Sequence, residues 1–180
     1  MKFYIVKPWS AERNFGKAIN EAIEQLNLPD DSKDFVLLMD GDACFLTTNW
    51  GNQIQSIIEN ADGYDLIGCS TNRLREQHQL VNGVFGSDTS LQIHYQTALN
   101  QQTIHGNKIY PFKHDVAGMF MLFRYSAWKN NKFKENTAIF DRLFTRGITK
   151  GRVGIAPGLY VLHMYRLWSN NPKNDSKHLF

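Results

Sequence analysis

The stretch Phe35-Val36-Leu37-Leu38-Met39-Asp40-Gly41-Asp42 constrains this chain more than any other. Five consecutive apolar residues without polar alternation describe a strand buried on both faces, the kind found inside a parallel sheet. Two carboxylates then stand one residue apart where that strand ends. Ligands of open α/β sheets bind beyond the carboxyl ends of the strands, and paired carboxylates there can grip a hard divalent cation through oxygen. Gly41 between them lets backbone approach a ligand closely. A cation so held neutralises phosphate oxygens, so the segment points to an enzyme acting on a diphosphate-bearing substrate.

Strand and helix patterns alternate around this run. Phe3 to Val6 reads as a strand closed by Pro8. From Asn14 to Leu26 the residues Phe15, Ala18, Ile19, Ala22, Ile23 and Leu26 form an amphipathic helical stripe, with Asn14 placed to cap it. Gly51 to Ala61 reads as a second helix and Asp65 to Cys69 as a third strand, which together predict a mostly parallel α/β sheet with helices on both faces. Leu74 to Gly86 has no period and reads as a mobile loop. Leu91 to Leu99 and Thr137 to Ile148 read as helices. Val116 to Phe123 reads as an apolar strand, and Val153 to Ala156 and Leu159 to His163 as short strands around Pro157-Gly158.

At 180 residues the chain is expected to form one domain over 1–168, followed by a polar tail over 169–180. A net charge of +3 is too mild for nucleic-acid binding, which usually shows a concentrated basic patch, though it permits anionic substrates and peripheral membrane contact. No apolar run reaches transmembrane length, and the two cysteines, Cys44 and Cys69, fit no zinc or disulfide pattern. They read as buried free thiols of a cytoplasmic protein.

Three segments resemble the GT-A-fold glycosyltransferases of the large family 2 of nucleotide-sugar transferases. Asn14-Phe15-Gly16-Lys17-Ala18-Ile19-Asn20 is similar to the family's Asn/Gly-rich helix start, and Phe35 to Asp42 to its apolar strand ending in Asp-x-Asp. Phe140-Asp141-Arg142-Leu143-Phe144-Thr145-Arg146-Gly147 resembles the helix that carries its catalytic base, with Phe140 where a second acidic residue is usual. The N-terminal half is short, with room for one helix between the first strand and the metal strand. The resemblance implies a Rossmann-like fold and metal-dependent, inverting transfer from a nucleotide sugar, uridine-linked by expectation, to a glycan, lipid-linked or protein acceptor. It implies Mn2+ or Mg2+ on Asp42, on Asp40, which also faces the ribose, and on His163. It implies Asp141 as general base, with Asp115 as the alternative, and donor contacts from Pro8, Trp9 and Arg73, with Arg75 near the diphosphate. Phe120, Tyr125 and Trp128 read as an acceptor platform, with core the competing reading for Phe120.

Two rival readings remain open on sequence grounds. One is a non-catalytic nucleotide-sugar or glycan-binding protein on the same scaffold. The other is a haloacid-dehalogenase-like phosphatase, because Leu37 to Asp42 also resembles that group's first motif, and Leu66 to Asn72 its second. That group needs a later strand ending in an acidic pair, whereas Arg124 follows Val116 to Phe123.

Overall fold

A computed structural model describes residues 1–75, 77–165 and 167, so the polar segment 169–180 lies outside the described residues. The elements are β1 (Phe3–Val6), α1 (Phe15–Glu24), β2 (Phe35–Met39), β3 (Ala43–Phe45), α2 (Trp50–Glu59) and β4 (Leu66–Thr71). Two 3₁₀ turns (Gln77–Gln79 and Val81–Gly83) lead to α3 (Leu91–His105) and β5 (Tyr110–Pro111). β6 (Phe120–Arg124), α4 (Tyr125–Asn130), α5 (Phe140–Gly147) and β7 (Val153–His163) complete the order.

The strands form one seven-stranded sheet in the order β1-β2-β6-β4-β7-β3, with β5 also paired to β7. The sheet is mixed, which corrects the expectation of a mostly parallel one. β1–β2 and β4–β7 are parallel, but β6 runs antiparallel between β2 and β4, and β3 and β5 run antiparallel to β7. Met39 pairs with Phe120 and Phe35 with Arg124, so β6 starts where β2 finishes. Its approach segment is thereby delivered to the end of the sheet that carries Asp40, whose N–H donates to the Met119 carbonyl at 3.1 Å.

Period-two alternation along β2 divides the core between the two faces. Phe35, Leu37 and Met39 pack with Ile54, Ile57 and Ile58 of α2. Val36 and Leu38 pack with Ile19 and Ile23 of α1, Trp128 of α4 and Phe144 of α5. Helices therefore cover both faces, as the sequence suggests, and each such fully buried aliphatic side chain contributes about 1.5–3 kcal/mol. Asn14 caps α1 by accepting from the Lys17 N–H. Phe120, Tyr125 and Trp128 are core residues, at 0%, 6% and 2% exposure, and form no platform at the surface.

Three local expectations change. The two short strands around Pro157-Gly158 are one strand, β7, whose ladder to β4 shifts register between Cys69 and Ser70 and leaves residues 157–159 as a bulge. A Cβ on Gly158 would lie 2.0 Å from the Gly106 carbonyl oxygen, so only glycine allows this approach. The helix expected over Leu91 to Leu99 continues to His105, with Ser90 as its cap. The segment after β4, expected as a mobile loop, is fastened by buried Gln79, which donates to the Cys69 carbonyl at 3.1 Å and accepts from the Ala117 N–H at 2.8 Å. Cys69 is a buried free thiol whose pKa burial pushes well up, and Cys44 is free and half-buried.

Candidate functional site

Asp40, Asp42 and His163 meet at the carboxyl ends of β2 and β7. Chain geometry brings them together. Asp42 is followed directly by β3, whose Ala43 pairs with His163 across the antiparallel ladder, and the Met164 N–H donates to the Asp42 carbonyl at 2.8 Å. Each of the three residues offers one ligand atom, and these atoms lie within 4.8 Å of one another. His163 Nε2 is 3.4 Å from Asp42 Oδ1 and 4.0 Å from Asp40 Oδ2.

The far side of the imidazole is fixed. His163 Nδ1 lies 2.7 Å from the Arg73 carbonyl oxygen, and a carbonyl only accepts, so Nδ1 carries the proton and donates. The His163 N–H donates to Asn72 Oδ1 at 2.8 Å. Nε2 is left facing the two carboxylates, the arrangement in which an outer carbonyl orients a metal-ligating histidine. Two carboxylates and an imidazole nitrogen facing them form a donor set that could hold a divalent cation.

The electrostatics agree. Burial raises the Asp40 pKa, and the neighbouring charges of Asp42 and Asp141 add to the effect against an opposing contribution from His163. The His163 imidazole holds the Asp42 carboxyl below its usual range despite burial. Burial disfavours charge on His163, yet Asp42, the Arg73 carbonyl and Asp40 together outweigh it and raise its pKa. In the cation-free protein the proton on His163 offsets the crowded carboxylates, and a bound cation would take its place at Nε2.

A cavity of about 440 Å³ opens on the triad, within the size range of ligand sites. Arg73, Asp115 and Asp141 also line it, so every sequence-assigned site residue except Pro8 and Trp9 is gathered there. Asp141, in the first turn of α5, accepts from the Gly118 N–H at 2.9 Å through Oδ2 and from the Arg142 N–H at 2.8 Å through Oδ1. Each oxygen keeps a lone pair for a further donor. Asp115 is held bidentately by Arg146, at 3.2 and 2.8 Å, which commits it to an ion pair. Arg73 is fully buried, stacks 4.4 Å over the Phe85 ring and donates to the Gly86 carbonyl at 3.0 Å. β1 and β2 are parallel, so Pro8 and Trp9 leave the sheet at the same end as Asp40. Neither is among the described residues that line the cavity, and Trp9 is 79% exposed. Gly41 has no protein atom within 4 Å of a built Cβ, so no steric demand of the fold requires glycine there.

Sequence reasoning missed three supporting groups: the Asn72 side chain, the Arg73 carbonyl and the Gly118 N–H. All three act through tertiary contacts, of the segment after β4 with His163 or of Gly118 with Asp141, which no local sequence pattern announces. A scan against protein-family models, a search of curated proteins and a search of solved structures each return no match. Among the described residues, no helix is long and apolar enough to cross a membrane.

Proposed function

We propose that this protein transfers a sugar from a nucleotide-sugar donor to an acceptor hydroxyl, with inversion at the anomeric carbon. One observation carries the reading: a single cavity holds both the Asp40–Asp42–His163 cluster and, beside it, the Asp141 carboxylate. Those are the two halves of such a reaction. A divalent cation bound by the cluster supplies Lewis-acid stabilisation of the diphosphate leaving group. Arg75, exposed on the same cavity wall, supplies further positive charge to phosphate oxygens, whereas the buried Arg73 guanidinium is committed to Phe85 and the Gly86 carbonyl and contributes only its backbone carbonyl to His163. Asp141 takes the proton of the acceptor hydroxyl as the oxygen bonds to the anomeric carbon. The bond from that carbon to the diphosphate oxygen breaks, and its electron pair leaves with the diphosphate. The Gly118 N–H keeps the carboxylate turned into the cavity.

The phosphatase reading has less support, because β6 ends in Arg124, whose guanidinium donates to the Tyr64 and Ala61 carbonyls. A thermal-shift screen of nucleoside diphosphates and nucleotide sugars, each with Mn2+ or with chelator, tests the reading. The expected result is cation-dependent stabilisation by one nucleotide class, together with release of its diphosphate from the matching sugar. Stabilisation without release favours the binding-protein alternative. No stabilisation by any nucleotide contradicts the proposal.

A further inference from the structure

A second cavity, of about 460 Å³, adjoins the first, and the two share Ala138 and Phe140 in their walls. They stand three residues and one residue before Asp141 in the chain. None of Asp40, Asp42, Arg73 and His163 lines the second cavity among the described residues. Among the described residues Asp141 lines the first cavity only, so the second lies beyond Ala138 and Phe140 and away from the cation holders.

Its wall is built by two segments far apart in sequence. Asn14 Nδ2 donates to Asn136 Oδ1 at 3.0 Å, and the Asn136 N–H donates back to Asn14 Oδ1 at 2.9 Å. Below them a Cβ on Gly16 would stand 2.0 Å from the Lys134 carbonyl oxygen, so the backbones are in direct contact. Such bracing makes a preformed wall. Phe15 lines the cavity with 40% of its surface exposed, and its ring lies 6.0 Å from that of Phe140. Glu12, Arg13 and Asn136 line the same space. An accessible aromatic ring bordered by a carboxylate, a guanidinium and an amide matches a pyranose. The electron-rich ring face takes the sugar's C–H face, and the polar edge takes its hydroxyls. An apolar ligand would desolvate Glu12 and Arg13 without giving them partners.

We infer that this second cavity is the acceptor subsite and that it binds a pyranose ring of a carbohydrate acceptor against Phe15. The inference rests on the transferase reading above: the reacting hydroxyl meets Asp141 in the first cavity, and the adjoining space beyond Ala138 and Phe140, remote from the cation holders, is where the rest of that acceptor extends.

The test is saturation-transfer-difference NMR with methyl β-glycosides of glucose, galactose and N-acetylglucosamine, run without cation or nucleotide. It therefore fails or succeeds independently of donor binding. For at least one glycoside, saturation is expected on the ring C–H protons with millimolar affinity. Phe15→Ala is expected to weaken that binding at least tenfold, and Ala138→Trp, at an exposed position between the cavities, to block it. Circular dichroism confirms that both variants fold, and Mn2+-dependent nucleotide affinity is expected within twofold of wild type for Phe15→Ala. No saturation of any glycoside by wild type overturns the inference. Unchanged glycoside binding in both variants also overturns it. Loss of nucleotide affinity in Phe15→Ala would assign the cavity to the nucleoside instead and likewise overturn it.

Discussion

Replacing Asp141 by Asn separates the positioning of this side chain from its chemistry. In the native protein its two oxygens serve two backbone donors, Gly118 N–H at 2.9 Å and Arg142 N–H at 2.8 Å. An amide has one oxygen, so one donor must lose its partner. Gly118 is buried and Arg142 is exposed. The amide oxygen therefore stays on Gly118, and water replaces the bond at Arg142. Hydrogen bonds to a charged group are worth about 1.5–3 kcal/mol, and partial replacement puts the loss at roughly 1–2 kcal/mol. For a chain of this size that lowers Tm by about 2–8 °C. Turnover, read as diphosphate release from the donor, is expected to fall roughly 10²–10⁴-fold, equivalent to about 3–5.5 kcal/mol of barrier. Because the barrier change exceeds the stability change, the two measurements are distinguishable. Wild-type turnover in Asp141→Asn would refute the base assignment. Loss of donor binding in step with turnover would show that Asp141 organises the cavity rather than moves a proton.

Asn20, on the buried face of α1, accepts from Trp128 Nε1 and the Phe133 N–H and donates to the Phe133 carbonyl. Asn20→Ala leaves those three groups unpaired and is expected to cost about 3–5 kcal/mol by urea denaturation, at roughly 1–3 each with partial relief by water; an unchanged midpoint would refute the network. Gly16→Ala would raise stability if helix propensity ruled, but the Lys134 carbonyl at 2.0 Å from the new Cβ predicts a lower Tm instead. In the cation-free protein the His163–Asp42 pair sets a pH window. The raised His163 pKa contributes stability that is full below 6.5, its unfolded value, and lost as pH rises through the folded one. The lowered Asp42 pKa contributes stability that is present above 3.8 and lost as pH falls through the folded one. His163→Ala is expected to remove the alkaline limb, and Mn2+ affinity of the wild type to rise with pH as His163 Nε2 loses its proton; a flat profile would contradict both.

The sequence told most where local rules and tertiary structure agree. β1 and β2 lie where the apolar runs place them, and α1 begins at its Asn cap. The direction of β6 was hidden, because an apolar run such as Phe120–Phe123 reads alike in either orientation and only long-range pairing with β2 and β4 decides. Pro157-Gly158 looked like a strand break because its bulge depends on Gly106, 52 residues away in the chain. The site carboxylates and His163 were visible as residue types, whereas Asn72 and the Arg73 carbonyl, which orient His163, follow only from the meeting of β4 with β7. Trp9 was conspicuous as an aromatic after β1, yet the cavity is lined without it.

Electron paramagnetic resonance of Mn2+ tests the central claim most directly, because the hexaaqua ion gives a sharp signal that protein binding removes. Titrating Mn2+ into wild type, Asp42→Asn and His163→Ala, each with and without uridine diphosphate, counts bound ions without an activity assay. One site per wild-type chain is expected, tightened by the diphosphate, with affinity at least tenfold weaker in both variants. Equal Mn2+ binding by wild type and Asp42→Asn, or no binding by wild type even with the diphosphate, would contradict the assignment of Asp40, Asp42 and His163 as a metal centre.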